Sequence, residues 1–78
     1  MRVQAYVFIT TTNPGPRAAV QAIRRVPGVS RADALFGTPD AVATVEGDDL
    51  AAIDAVIDRI VEVPEVVGTD SKVVRWIE

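Results

Sequence analysis

Apolar residues alternate at the start of the chain and later fall twice on helical spacing. In VQAYVFITT, residues 3–11, Val3, Ala5, Val7 and Ile9 point one way while Tyr6 and Phe8 point the other. Apolar character on both alternating sets, with β-branched and aromatic residues, predicts a strand with two covered faces. Thr12-Asn13-Pro14-Gly15-Pro16 is a turn that offers a Thr or Asn cap and a proline at the start of a helix over about residues 16–26. Ala19, Val20, Ile23 and Val26 form the apolar face of that helix; Arg17, Gln21, Arg24 and Arg25 form the polar one. Arg24 and Arg25 read as solvated residues of its last turn, where cations suit the helix dipole. Pro27-Gly28 ends it.

Val29 to Phe36 and Ala41 to Glu46 read as paired strands, since Gly37-Thr38-Pro39-Asp40 leaves room only for a hairpin-type connection. Asp48 or Asp49 caps a second helix, on which Leu50, Ile53, Val56, Ile57 and Ile60 make one stripe opposite Asp54, Asp58, Arg59 and Glu62. The helix stops before Pro64. In Val66 to Glu78, Gly68-Thr69-Asp70 looks like a turn and Lys72 to Ile77 like a final strand. An internal echo supports the order: IRRVPGV at 23–29 and IVEVPEV at 60–66 place Ile, Val, Pro and Val at the same offsets. Two β-α-β halves give a ferredoxin-like βαββαβ fold, α+β in class, with a four-stranded antiparallel sheet and both helices on one face. Residues 1–78 make a single domain with no room for a linker.

If Val3, Ala5, Val7 and Ile9 face the helices, Tyr6 and Phe8 lie on the face the helices leave open, where Val74 and Trp76 join them. The chain is 49% hydrophobic, more than so small a domain needs for one core. Packing two sheets face to face across a two-fold axis buries that surplus at about 25 cal/mol per Å2, so a sheet-mediated dimer is expected.

Charge and composition then narrow the function. Eight basic and eleven acidic side chains leave a net charge of −3, the wrong sign for a phosphate-backbone binder, so no nucleic-acid contact is expected. With no Cys and no His, disulfides, thiolate metal sites and the commonest general base are missing; neither metal nor cofactor is expected, and the chain fits a reducing cytoplasm. No signal-like start and no run of 18 apolar residues point to a membrane.

The strand AYVFITT, the Pro-Gly turn, the helix ending RRVPGV, the segment ALFGTPDAVATV, the helix DDLAAIDAVIDRIV and the terminal VPEVVGTDSKVV together resemble the effector-binding RAM domain of the Lrp/AsnC (feast/famine) regulators. The resemblance runs through essentially the whole chain. It implies dimers that assemble into octamers or decamers, and an amino acid or related metabolite bound between dimers. The family's Gly-x-x-Asp loop falls on Gly37, Thr38, Pro39 and Asp40, and its Thr-x-Thr region on Thr69, Asp70 and Ser71. Many relatives carry an aromatic residue where this chain has Pro39, and Ser71 replaces the second threonine. Full-length members carry a helix-turn-helix domain before this module; here Met1 precedes the first strand, so the expectation is a stand-alone form without DNA binding of its own, acting on a full-length relative or another partner.

Other readings stand beside this one. Gly37 and Asp40 also suit an ordinary turn, the glycine by its backbone freedom and the aspartate by accepting turn amides; Thr69 to Ser71 also suit a polar lead into an edge strand. Small ferredoxin-like dimers include cofactor-independent oxygenases and isomerases, but this chain lacks convergent acid and base groups at fixed spacing, so no catalytic residue is assigned. A structural assembly module and an ACT-like amino-acid-binding domain are the further alternatives.

Overall fold

The computed structural model describes residues 2–77. It shows β1 (Val3–Thr11), α1 (Arg17–Ile23), β2 (Val29–Ala34), β3 (Ala41–Gly47), α2 (Leu50–Val61) and β4 (Val66–Val73), in the expected β-α-β-β-α-β order. The four strands form one sheet in the order β2-β3-β1-β4. Every neighbouring pair is antiparallel.

Alternation along the strands decides which side is core. Ala5, Val7 and Ile9 of β1 are buried opposite Val45, Ala43 and Ala41 of β3. Directly opposed residues share a face of the sheet. Val20 and Ile23 of α1 and Ile53, Val56 and Ile60 of α2 close the same cluster from above, so both helices cover one face. Each fully buried Ile contributes roughly 1.5–3 kcal/mol by leaving water. The Asp49 side chain caps α2 by accepting from the Ala52 amide at 2.9 Å.

The internal echo reappears as a repeated set of hydrogen bonds. Val26 N donates to Ile23 O and Val29 N to Val26 O; Val63 N donates to Ile60 O and Val66 N to Val63 O. Gly28 O then accepts from Glu46 N, and Glu65 O from Thr12 N, each at 2.9 Å. The copies differ at one position. Gly28 has φ +98°, and a Cβ there would collide with Val56 Cγ2, whereas its counterpart Glu65 has no positive φ. Only the first turn lies directly under α2.

Several expected boundaries move. α1 ends at Ile23 and continues to Val26 as tight turns, with Arg25 N bonded to Ala22 O and Val26 N to Ile23 O. Pro16 precedes α1 with no side-chain cap, so neither Thr12 nor Asn13 fills that role. β2 stops at Ala34, and Leu35 N donates to Asp40 O at 2.8 Å to close a longer hairpin loop on whose tip Phe36 is fully exposed. Gly68-Thr69-Asp70 is not a turn but the middle of β4, held by pairing with Thr10, Ile9 and Phe8. Among the described residues beyond Val73, only Val74 N → Gln4 O (2.8 Å) continues the pairing with β1. The final strand therefore ends before Trp76; Glu78 lies outside the described residues.

Arg24 is also more than a solvated residue of a helix end. Its Nε donates to Ala32 O at 2.8 Å and its guanidinium lies 3.7 Å from Asp33, so it blocks part of the free edge of β2.

Candidate functional site

The sheet face away from the helices carries Tyr6 and Phe8 from β1 and, by pairing, Thr44 and Val42 from β3. On the other side Lys72 lies opposite Tyr6 and Asp70 opposite Phe8. Tyr6 is 43% exposed and Phe8 half-buried, so the aromatic patch sits on the uncovered face. Val74 joins its end beside Gln4, and Trp76, 83% exposed, borders a cleft shared with Arg2, Glu46 and Leu50. Charged pairs rim the apolar strip: Lys72 Nζ with Asp70 Oδ1 at 3.3 Å on β4, and Arg31 Nε with Asp33 Oδ2 at 2.6 Å on β2. The hydrogen bond to Asp33, with its charge, raises the Arg31 pKa above its ordinary value.

At one end of this face the β2–β3 loop leans toward β4. Phe8, Thr10, Thr38, Pro39, Gly68, Thr69 and Asp70 line a shallow groove of ≈ 320 Å3 between them. Four of the residues singled out from the sequence, Thr38, Pro39, Thr69 and Asp70, thus come together from two distant parts of the chain. The other three do not line it. Ser71 lies opposite the buried Val7, so the pleat assigns it to the helix side. Gly37 supplies φ +97° to the loop, with open space around it.

Asp40 has a structural task behind the loop. Its amide donates to Ile9 O at 3.0 Å, its Oδ2 accepts from Thr11 N at 2.7 Å, and its carbonyl accepts from Leu35 N. The β1–β3 ladder ends at the Ile9–Ala41 pair, and the carboxylate stands where the next strand carbonyl would be. Asp40 thereby fixes the loop that presents Thr38 and Pro39.

Thr10 and Gly68 are the groove residues missed by sequence reasoning, which placed Phe8 on the open, dimer-forming face but not in the groove. The signal for Phe8 and Thr10 was their i, i+2 spacing on the open face of β1; Gly68 follows only once its pairing with Thr10 is known. No group of three or more acidic, His or Cys side chains suited to a metal occurs among the described residues. No helix among them is long and apolar enough to cross a membrane.

The chain matches the family model of the Lrp/AsnC ligand binding domain over residues 4–75, which takes in every strand and helix apart from Val3. The chain belongs to the Lrp/AsnC ligand-binding domain family. The backbone agrees. TTHA0845 from Thermus thermophilus superposes with a TM-score of 0.88 at 25% identity, covering 97% of this chain and 96% of that one. AsnC of E. coli superposes with a TM-score of 0.84 at 18% identity; 96% of this chain is covered but only 52% of AsnC. A Neisseria meningitidis transcriptional regulator, NMB0573, solved as a complex with L-Met, gives 0.78 at 21% identity over 95% of this chain and 50% of that one. The chain thus spans about half the length of those two regulators. No curated protein sequence matches it significantly.

In this Lrp/AsnC domain the groove offers the hydroxyls of Thr10 and Thr38, one acidic side chain and two apolar walls, while Thr69, opposite buried Ile9, borders it from the same side of the pleat as Ser71. Chemically, that set is able to hold and orient a small polar molecule. It contains no nucleophile paired with a base.

Proposed function

We propose that this Lrp/AsnC domain is an effector-binding and oligomerisation module. It takes a small metabolite, an amino acid, in the groove between the β2–β3 loop and β4, at interfaces between dimers. It passes the bound state to a transcriptional regulator or another protein partner in the cytoplasm, without contacting DNA itself. The observation that supports this most is the convergence of Thr38, Pro39, Thr69 and Asp70 on one groove. Loop and strand are far apart in sequence, and the family is a regulatory, effector-binding one.

Dimerisation through the open sheet face completes the proposal. Tyr6, Phe8 and Val42 form its apolar centre, Val74 and Trp76 its end, and the ion pairs of β2 and β4 its polar rim, the arrangement expected of an interface. Because Phe8 belongs both to this face and to the groove, effector binding and assembly share a side chain. Gly37, Asp40 and Ser71 act through the loop and the strand rather than by lining the groove.

Mass by light scattering, with and without a pooled set of the twenty amino acids, tests the proposal together with titration calorimetry. A dimer or larger ring, with saturable amino-acid binding and no turnover, is the expected result. A constant mass with no heat of binding refutes the effector role and leaves a constitutive assembly module. A monomer at micromolar concentration refutes the sheet-mediated dimer.

A further inference from the structure

The two edges of the sheet are finished differently. On β2 the Arg24 side chain takes Ala32 O at 2.8 Å and lies beside Asp33, so that edge is partly closed. On β4, among the described residues, no side chain bonds the backbone of Thr69, Ser71 or Val73. Val74 N donates to Gln4 O, and antiparallel partners alternate between bonded and non-bonded pairs, so Lys72, Asp70 and Gly68 likewise turn their amides and carbonyls to β1. Those of Thr69, Ser71 and Val73 point outward, along a strand of 8 residues that contains no proline.

A second β4 laid antiparallel on this edge across a two-fold axis must match outward groups with outward groups and set opposite charges together. With Ser71 facing Ser71 of the partner subunit, Thr69 meets the partner's Val73 as a hydrogen-bonded pair. Asp70 then meets the partner's Lys72 at the intervening site, where side chains approach most closely, and the axis repeats the pair. Centring the contact on Asp70 or Lys72 instead sets like charges face to face, and centring it on Thr69 or Val73 leaves both charges without a cross-strand partner. Asp70 and Lys72 lie 3.3 Å apart within one strand with 65% of each side chain exposed, so both heads are free to turn to a neighbour. Apolar surface flanks the same edge on the helix side: Leu50 and Val73, 62% and 51% exposed, line a cleft with Ile57. The pleat puts the partner's Val73, opposite Thr69, on that side too. We propose that two copies of this chain pair through their β4 edges, centred on Ser71, and join their sheets into one. This contact goes beyond the sheet-face dimer: the face that carries Tyr6, Phe8 and Val42 stays open to it, and no bound effector is needed.

The chain has no cysteine, so single thiols read the register directly. Ser71→Cys, Asp70→Cys and Lys72→Cys are each oxidised in the intact protein at micromolar concentration and followed by non-reducing electrophoresis. The proposed register holds the two Ser71 Cα atoms about 5.5 Å apart, within disulfide range, so Ser71→Cys should cross-link at least about tenfold faster than either neighbour. Sheet-face dimers cannot mimic this result, because Ser71 lies on the helix side of the sheet opposite buried Val7. Ser71→Pro removes an outward amide and spares the ladder to β1; with circular dichroism unchanged, its mass by light scattering should fall to about half or less of the parent's. Faster cross-linking of Asp70→Cys or Lys72→Cys, no cross-linking of Ser71→Cys, or an undiminished mass for Ser71→Pro overturns the proposal.

Discussion

Removing the Asp40 carboxylate separates a structural role from a binding one. In Asp40→Ala the Thr11 amide loses its 2.7 Å acceptor at a partly buried position, just where the β1–β4 register shifts. A hydrogen bond to a charged group is worth about 1.5–3 kcal/mol net, and an orphaned buried donor costs about 1–3 kcal/mol, so the variant should lose roughly 1–3 kcal/mol. A domain of 78 residues has roughly 4–12 kcal/mol in all at about 0.05–0.15 kcal/mol per residue, so the loss is a large share. It lowers the melting temperature by about 4–8 °C per kcal/mol. Asp40→Asn keeps an oxygen acceptor and should lose less than about 1 kcal/mol. The assay is urea unfolding followed by far-ultraviolet circular dichroism at fixed protomer concentration, since assembly makes stability concentration-dependent. Equal losses in the two variants, or a loss below about 0.5 kcal/mol in Asp40→Ala, refute the clamp. Calorimetry on the folded variants then reads binding alone, with weaker effector affinity expected for Asp40→Ala because Thr38 and Pro39 are no longer held in place.

Two further perturbations probe the frame of the site. Gly28→Ala drives a Cβ into Val56 Cγ2 at a φ of +98°; backbone strain of about 1–2 kcal/mol and overpacking of about 1–3 kcal/mol should lower stability markedly in thermal unfolding. In a Val56→Ala background the overpacking part of that penalty disappears, and an unchanged penalty there contradicts the steric account. Asp49→Ala removes the acceptor for the Ala52 amide and should cost about 1 kcal/mol in the same measurement, with Asp49→Asn nearly neutral.

Local periodicity made most of the fold readable. Val3, Ala5, Val7 and Ile9 announced both the strand and its covered face, and the Leu50 to Ile60 stripe announced α2, because burial selects residue type at each position. The repeated Ile-Val-Pro-Val spacing was readable for the same reason, since both copies bury Ile and Val and bond their backbones alike. The end of the chain misled. Gly68, Thr69 and Asp70 have turn propensity, yet they pair with β1, and a tertiary partner outweighs local preference. The groove was readable only in part: resemblance brought Thr38, Pro39, Thr69 and Asp70 forward, but Phe8, Thr10 and Gly68 enter through strand register, which composition does not encode. The pleat that adds Phe8 to the groove is also what sends Ser71 to the opposite side.

Phe8 gives the proposed function its mechanism of coupling. A ring packed between two sheets loses rotamer freedom once, and a ligand that then meets the fixed ring has less ordering left to supply. On that reading assembly favours effector binding, and by linkage the effector favours assembly to the same extent. An effector at 100 times its dissociation constant stabilises the competent assembly by about 2.7 kcal/mol per site, about a hundredfold in the association equilibrium. Such a shift is large for a domain whose own stability is of the same order, so on the proposed reading a small metabolite would be enough to change its state of assembly. Phe8→Leu keeps the apolar face but removes the ring. It should leave the dimer formed while loosening the dependence of mass on effector, and a variant that retains full coupling would place the linkage elsewhere in the interface.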